Sequence, residues 1–140
     1  MAEVDVVRTA GELRAVVGGL VRRARVADDL PAAQAAVLGH LDRDGPMTTS
    51  ELAGLQRVRH QSMSRTVAQL VAQGLAGQRP HPGDRRKTLI ELSGAGREAL
   101  EARRGRRVDW LAEAIATELS PAEQVRLARA IELLARLAAH

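Results

Sequence analysis

Residues 48–74, TTSELAGLQRVRHQSMSRTVAQLVAQG, contain the pattern that decides the fold. Thr48 and Glu51 have the spacing of a capping box, in which each side chain accepts the backbone amide of the other residue. They predict a short helix that begins at this point. A second helix is predicted over about 60–73, and Gly74 suits the left-handed residue that ends many helices. We expect the buried stripe of this second helix to be Met63, Val67, Leu70 and Val71.

The apolar period changes from 3.6 to 2 after Gly74, which indicates strands in place of helix. Two short strands are predicted, Leu75 to Arg79 and Arg86 to Leu92, around a turn with the sequence PHPGDR. Ser93 is placed to cap a long helix over about 94–117.

The rest of the chain has helical patterns. A helix is predicted over about 31–43, and Ser120 and Glu123 form a second capping box that opens the last helix. The first helix has the apolar stripe Leu13, Val16, Val17, Leu20, Val21 and Ala24. We therefore expect a mainly α fold with a small β-hairpin, in one domain, 1–140. Residues 31–92 would form a winged helix-turn-helix lobe, and residues 6–27 and 94–139 would supply dimerisation helices.

Composition restricts the class of protein further. The chain has one Trp and no Phe or Tyr, so its core has to be aliphatic, and RNA modules that stack bases on aromatic rings are disfavoured. The absence of Cys excludes disulfides and thiolate metal sites. A net charge of +4 is compatible with an anionic partner. The sequence contains neither a signal-peptide pattern nor an apolar run of about 20 residues, so we expect a cytoplasmic protein without membrane contact.

Two helices joined by a tight turn and followed by a hairpin indicate a winged helix-turn-helix, whose second helix lies in the major groove of DNA. Gln can pair bidentately with adenine and Arg with guanine, and Ser binds bases or phosphate. The polar residues on the leading turns of the second helix are the expected base-reading set: Arg59, His60, Gln61, Ser62, Ser64 and Arg65.

The hairpin tip is expected to lie over the neighbouring minor groove, whose negative potential attracts arginine. Arg85, Arg86 and Lys87 would supply positive charge there. Asp84 would be misplaced beside phosphates unless it pairs with an arginine and fixes its direction. Taken alone, the basic run is equally typical of an ordinary solvated turn.

Residues 48–96 resemble the multiple-antibiotic-resistance regulator (MarR) family of bacterial transcription factors. The wing pattern of that family corresponds here to Asp84, Arg86, Leu92, Ser93 and Gly96. The end of its recognition helix corresponds to Leu70, Gly74 and Leu75, and the Gln of its second helix to Gln34. The outer helices stand where the family has its dimerisation helices.

The resemblance implies a homodimer that binds a pseudo-palindromic double-stranded operator, usually as a repressor, and that releases DNA when a small aromatic or anionic effector binds. It also implies that Arg86 enters the minor groove and that Asp84 orients an arginine. This chain departs from the family in two respects: without Cys it has no thiol switch, and without Phe or Tyr a ring-stacking ligand pocket is in doubt.

Several features have alternative interpretations. The run Arg103–Arg107 is either a solvated face paired with Glu98 and Glu101 or a phosphate or anion site. Trp110 is a core, dimer or pocket residue. His40, His60, His81 and His140 lack metal-ligand spacing, and no cofactor or catalytic motif is present, so we do not expect an enzyme. The rival to a sequence-specific regulator is an architectural or RNA-associated basic protein that binds without reading sequence.

Overall fold

The computed structural model describes residues 3–25 and 29–140. Residues 26–27, which the sequence assigned to the end of the first helix, lie outside the described part. The elements of the described chain, in order, are α1 (Val6–Arg25), α2 (Ala32–Asp44), β1 (Met47–Thr48), α3 (Thr49–Gln56), α4 (His60–Ala72), β2 (Ala76–Pro80), β3 (Thr88–Leu92), α5 (Gly94–Glu118) and α6 (Pro121–Ala138). The mainly helical fold is thus confirmed.

The described residues form two compact units. The first contains α2 to β3 and α5 as far as Gly105, and it is called the winged unit below. The second contains α1, α5 from Arg106 onward, and α6, and it is called the helical unit.

The hydrophobic core of the winged unit contains aliphatic side chains and Met63, with no aromatic residue, as the composition predicted. Leu38, Leu52, Met63, Leu70 and Ile90 are among its fully buried side chains. They come from α2, α3, α4 and β3, so packing of these four elements orients α4 relative to the sheet. Of the stripe expected in α4, Met63, Val67 and Leu70 are buried and Val71 is partly buried against the same core.

Local capping signals determine where several helices begin and end. At the start of α3 the Glu51 amide donates to Thr48 Oγ1 at 3.2 Å, and the Thr48 amide donates to Glu51 Oε1 at 3.3 Å. The second capping box, between Ser120 and Glu123, is also present. Gly74 has a φ of 74°, the left-handed conformation predicted for the end of α4. These local predictions are confirmed.

The sheet differs from the predicted hairpin because it has three strands, in the order β1-β3-β2. β1 pairs antiparallel with β3, with Met47 opposite Ile90 and Thr48 opposite Leu89. Two residues are too few to show an alternating pattern, so β1 could not be predicted from the sequence. Its effect is to join the segment before α3 directly to the wing.

None of the described helices is long and apolar enough to cross a membrane. Within the same residues, no group of three or more His, Cys, Asp or Glu side chains could hold a metal ion.

Candidate nucleic-acid interface

The turn between α3 and α4 is short and tightly bonded. Arg57 adopts the left-handed conformation, with a φ of 53°, and its amide donates to the Gly54 carbonyl oxygen at 3.3 Å. The Val58 amide donates to the Ala53 carbonyl oxygen at 3.1 Å. A non-glycine residue in this conformation costs about 1–2 kcal/mol, and here the helix-ending hydrogen bonds and the packing of α3 on α4 offset that cost.

The leading turns of α4 present a polar surface. Met63 and Val67 point into the core, and Ser64 and Arg65 between them are exposed to solvent. His60 Nδ1 and Ser64 Oγ are hydrogen-bonded at 3.3 Å, one turn apart. All six base-reading candidates of the sequence are exposed: Arg59, His60, Gln61, Ser62, Ser64 and Arg65. This surface therefore offers amide, hydroxyl and guanidinium groups to a partner.

The wing is the antiparallel pair β2–β3, in which Ala76 lies opposite Leu92 and Pro80 opposite Thr88. Arg79 lies opposite Leu89 and Glu91 lies opposite Gly77, so the two charged side chains are diagonal neighbours across the strands. They form an ion pair, with 2.9 Å between Arg79 Nε and Glu91 Oε2. The strand bounds predicted from the sequence are wrong by one or two residues, since the observed strands are Ala76–Pro80 and Thr88–Leu92. Arg86 and Lys87 consequently belong to the turn instead of the strand.

Asp84 is the reason that the turn extends to residue 87. Its Oδ1 atom accepts the Arg86 backbone amide at 3.0 Å and the Arg86 Nε at 3.3 Å. The Lys87 amide donates to the Asp84 carbonyl oxygen at 3.0 Å. These bonds fold residues 84–87 into a turn that precedes β3, which the alternating pattern alone could not indicate.

The same bonds set the charge of the wing tip. The Arg86 backbone amide, and after it the Arg86 side chain, holds the pKa of Asp84 below its ordinary value. The carboxylate of Asp84 therefore lies against the guanidinium of Arg86 and partly neutralises its charge. The side chain of Arg86 is 92% exposed, so it remains accessible to a partner while one of its nitrogen atoms is held.

A polar groove of about 580 Å³ lies between the first turn of α3 and the start of β3 in the winged unit. The cations Arg86 and Lys87 line one part of it, hydroxyl groups line another, and Glu51 contributes a carboxylate. Its complete lining is Thr48, Thr49, Ser50, Glu51, His60, Arg86, Lys87 and Thr88. Sequence reasoning had named His60, Arg86 and Lys87 but missed the hydroxyls of α3, because only the β1–β3 pairing brings the start of α3 beside the wing.

Within the Arg103–Arg107 run, Arg104 has a partner that is distant along the chain. Arg104 Nη2 donates to Asp42 Oδ2 at 3.2 Å, and Arg97 Nη1 donates to Asp42 Oδ1 at 2.9 Å. One carboxylate of α2 therefore binds two arginines of α5. The sequence suggested Glu98 and Glu101 as partners of this run, but Asp42 lies 62 residues from Arg104 and could not be recognised as its partner.

Comparison with known proteins identifies the family. A sequence model of the MarR family matches residues 28–87. A Mycobacterium bovis protein named as an HTH-type transcriptional regulator is 36% identical over 133 residues, which cover 93% of this chain and 92% of that protein. This chain belongs to the MarR family.

Solved structures share the fold. A transcriptional regulator protein of Pseudomonas aeruginosa is 33% identical, with a TM-score of 0.79 over 96% of this chain and 95% of that chain. A MepR variant of Staphylococcus aureus bound to an oligodeoxyribonucleotide is 20% identical, with a TM-score of 0.70 over 92% of this chain and 97% of that chain. The MarR-family protein described here is a DNA-binding transcriptional regulator with a winged helix-turn-helix, and the names of its relatives indicate a regulator in place of an enzyme.

Proposed function

We propose that this MarR-family protein is a homodimeric repressor that reads a pseudo-palindromic operator in double-stranded DNA. The observation that carries the proposal is the position of two surfaces in the winged unit. The exposed polar turns of α4 and the cationic wing tip flank one polar groove, and the β1–β3 pairing holds the wing beside α3.

The two surfaces are proposed to have different roles. Gln61, Ser62 and Arg65 present groups that suit base edges in the major groove. Arg86 suits the minor groove and the adjacent phosphates, because its charge is exposed at the tip of a narrow turn. The hydroxyl groups at the start of α3 suit a phosphate between these two contacts.

Dimerisation is proposed from the helical unit. Neither α1 nor α6 has a single buried residue, although both have apolar side chains along their length. Val16 is 61% exposed in α1, and Ile131 and Leu137 are 57% and 62% exposed in α6. Apolar surface of this extent is unusual on a monomer, and a second copy would bury it.

We propose that a small effector binds in a cavity of about 660 Å³ in the helical unit. The guanidinium of Arg23 and the ring of Trp110 line this cavity. Glu113 and Glu118 also line the cavity, so the expected ligand is an aromatic molecule with a polar group and little net negative charge. Trp110 is the only tryptophan of the chain, and its fluorescence would report binding directly. An unchanged signal across a set of aromatic acids and amides would argue against this site.

Selection of bound sequences from a random duplex pool tests the function as a whole. We expect an enriched inverted repeat whose half-site centres lie about 10 bp apart or a multiple of that spacing, because a two-fold dimer presents its recognition helices on one face of the duplex. Binding without enrichment would favour the architectural or RNA-associated alternative. Affinity alone does not separate the two, because phosphate contacts dominate both.

A further inference from the structure

The wing turn contains a second side chain that accepts backbone amides. His81 Nδ1 accepts the amide of Gly83 at 3.0 Å and the amide of Asp84 at 3.2 Å. Nδ1 is bonded to Cγ, as is the side-chain oxygen of Asn or Asp, so His81 here forms the hydrogen bonds of an Asx turn. The imidazole ring lies close to Gly83, where an added Cβ would be 3.3 Å from His81 Cε1.

His81 and Asp84 form two consecutive turns of the same kind. His81 binds the amide of Asp84, and Asp84 in turn binds the amide and the Nε of Arg86. The His81 amide donates to the Lys87 carbonyl oxygen at 3.0 Å and closes the loop across the strands. The direction of the Arg86 side chain therefore depends on Asp84, and the position of Asp84 depends on the imidazole.

We propose that His81 is a positioning residue of the wing, which aims Arg86 at DNA through Asp84 and does so only as a neutral imidazole. The proposal rests on the proposed role of the wing in DNA binding. A nitrogen that accepts two N–H groups cannot have its own proton, so the proton of the neutral ring must be on Nε2. A second proton would occupy Nδ1 and break both bonds.

Other charges near the turn could also change its behaviour with pH, so they have to be separated from His81. In the turn these groups are Asp84, Arg85, Arg86 and Lys87. In the adjacent strands they are Arg79 and Glu91, which pair with each other, and across the groove they are Glu51 and His60. Comparing variants that differ only at position 81 removes the contribution of these groups.

Three substitutions at position 81 distinguish the role of Nδ1 from the presence of a side chain. His81→Asn places a side-chain oxygen near the position of Nδ1. His81→Gln places the oxygen one bond further from the backbone, near the position of Nε2, and His81→Ala has no acceptor at all. We expect His81→Asn to keep wild-type affinity for the selected operator. His81→Ala and His81→Gln should weaken it about five- to tenfold, the value expected for the removal of one to two hydrogen bonds. His140→Ala serves as a control for loss of a histidine and should change nothing.

Nuclear magnetic resonance provides a readout that does not need DNA. In the wild type, the amide shifts of Gly83 and Asp84 should follow the protonation of the His81 ring, and in His81→Asn they should not. Equal affinity of His81→Ala and wild type, while Arg86→Ala binds weakly, would overturn the inference and leave the proposed function intact. If Arg86→Ala binds DNA as well as wild type, the proposed role of the wing in DNA binding is wrong. If the amide shifts of Gly83 and Asp84 do not change when the His81 ring is protonated, the hydrogen bonds of the turn are themselves contradicted.

Discussion

Gly96 of α5 lies directly against the backbone of Leu75, so that a Cβ atom at position 96 would overlap the Leu75 carbonyl oxygen. That oxygen already accepts the Ser93 amide at 3.2 Å, and Ser93 Oγ accepts the Gly96 amide at 3.0 Å. The start of α5 is therefore held against the segment between α4 and β2, where the backbones of Gly96 and Leu75 have no room for a side chain between them.

Gly96→Ala should consequently destabilise the protein by about 1–3 kcal/mol, the usual cost of overpacking. Gly105→Ala is the matched control in the same helix, because no atom lies within 4 Å of its added Cβ, and it should stabilise the fold by roughly 0.5–1 kcal/mol through helix propensity. Urea unfolding of both variants measures the difference. Equal midpoints would contradict the close contact.

Glu123 makes the stability of α6 depend on pH. The backbone amide of Ser120, and after it the Ser120 hydroxyl, lowers the pKa of Glu123 from its ordinary value of 4.5. A lowered pKa means that the stabilisation is present above the pKa of the unfolded chain and is lost as the pH falls through the folded value. Glu123→Gln keeps a capping oxygen that does not titrate. On acidification, the urea midpoint of this variant should fall less than the midpoint of wild type. If the two midpoints fall equally with pH, Glu123 does not contribute to the pH dependence of stability.

Arg86→Ala should weaken DNA binding for every sequence. It should also reduce the log–log salt slope by about one unit for each phosphate that the side chain no longer neutralises. Fluorescence anisotropy across a salt series measures both quantities. A loss confined to particular base pairs would instead assign Arg86 to base reading.

Asp84→Ala should also weaken binding, although it removes a negative charge near phosphates, because the Arg86 side chain loses the carboxylate that holds it. Asp84→Asn keeps an acceptor for the Arg86 amide without the charge, and we expect an intermediate affinity. Tighter binding of Asp84→Ala would leave Asp84 as a turn residue with no orienting role.

Gln61→Ala and Arg65→Ala should reduce discrimination between base pairs more than they reduce overall affinity. The expected loss is roughly 1–3 kcal/mol at the base pair contacted, if the contact is bidentate. Affinities for a panel of single-base operator variants identify the position. A uniform loss across the panel would place these side chains on the phosphates.

Leu137→Glu in α6 should shift the protein from dimer to monomer, because it places a charge on apolar surface that is proposed to meet a second copy. Val58→Glu is the matched control: it changes an apolar residue that is 43% exposed in the winged unit, and it should leave the dimer intact. Sedimentation velocity at micromolar concentration compares them. A monomeric wild type would contradict the dimer directly.

The features that could be predicted from the sequence are those encoded within one or two helical turns. The Thr48–Glu51 box and the Gly74 helix end require only residues that are neighbours along the chain. In contrast, β1 exists because Met47 pairs with Ile90 and Thr48 with Leu89 of β3, and Asp42 binds Arg104, which lies 62 residues away along the chain. The wing bounds were wrong for a different reason: the hydrogen bonds of Asp84 and His81 join near neighbours along the chain, but they override the alternating pattern around them.

The sheet has consequences for how copies of this protein can associate. Exposed sheet edges can recruit a strand from another chain and so start aggregation. Here one edge is β1, which offers only two residues, and the other is β2, which ends in Arg79 and in Pro80, a residue without an N–H group. Neither edge is a suitable template for a further strand. The proposed self-association through helices would therefore not compete with strand pairing, and the wing can be exposed to solvent without becoming a site of aggregation.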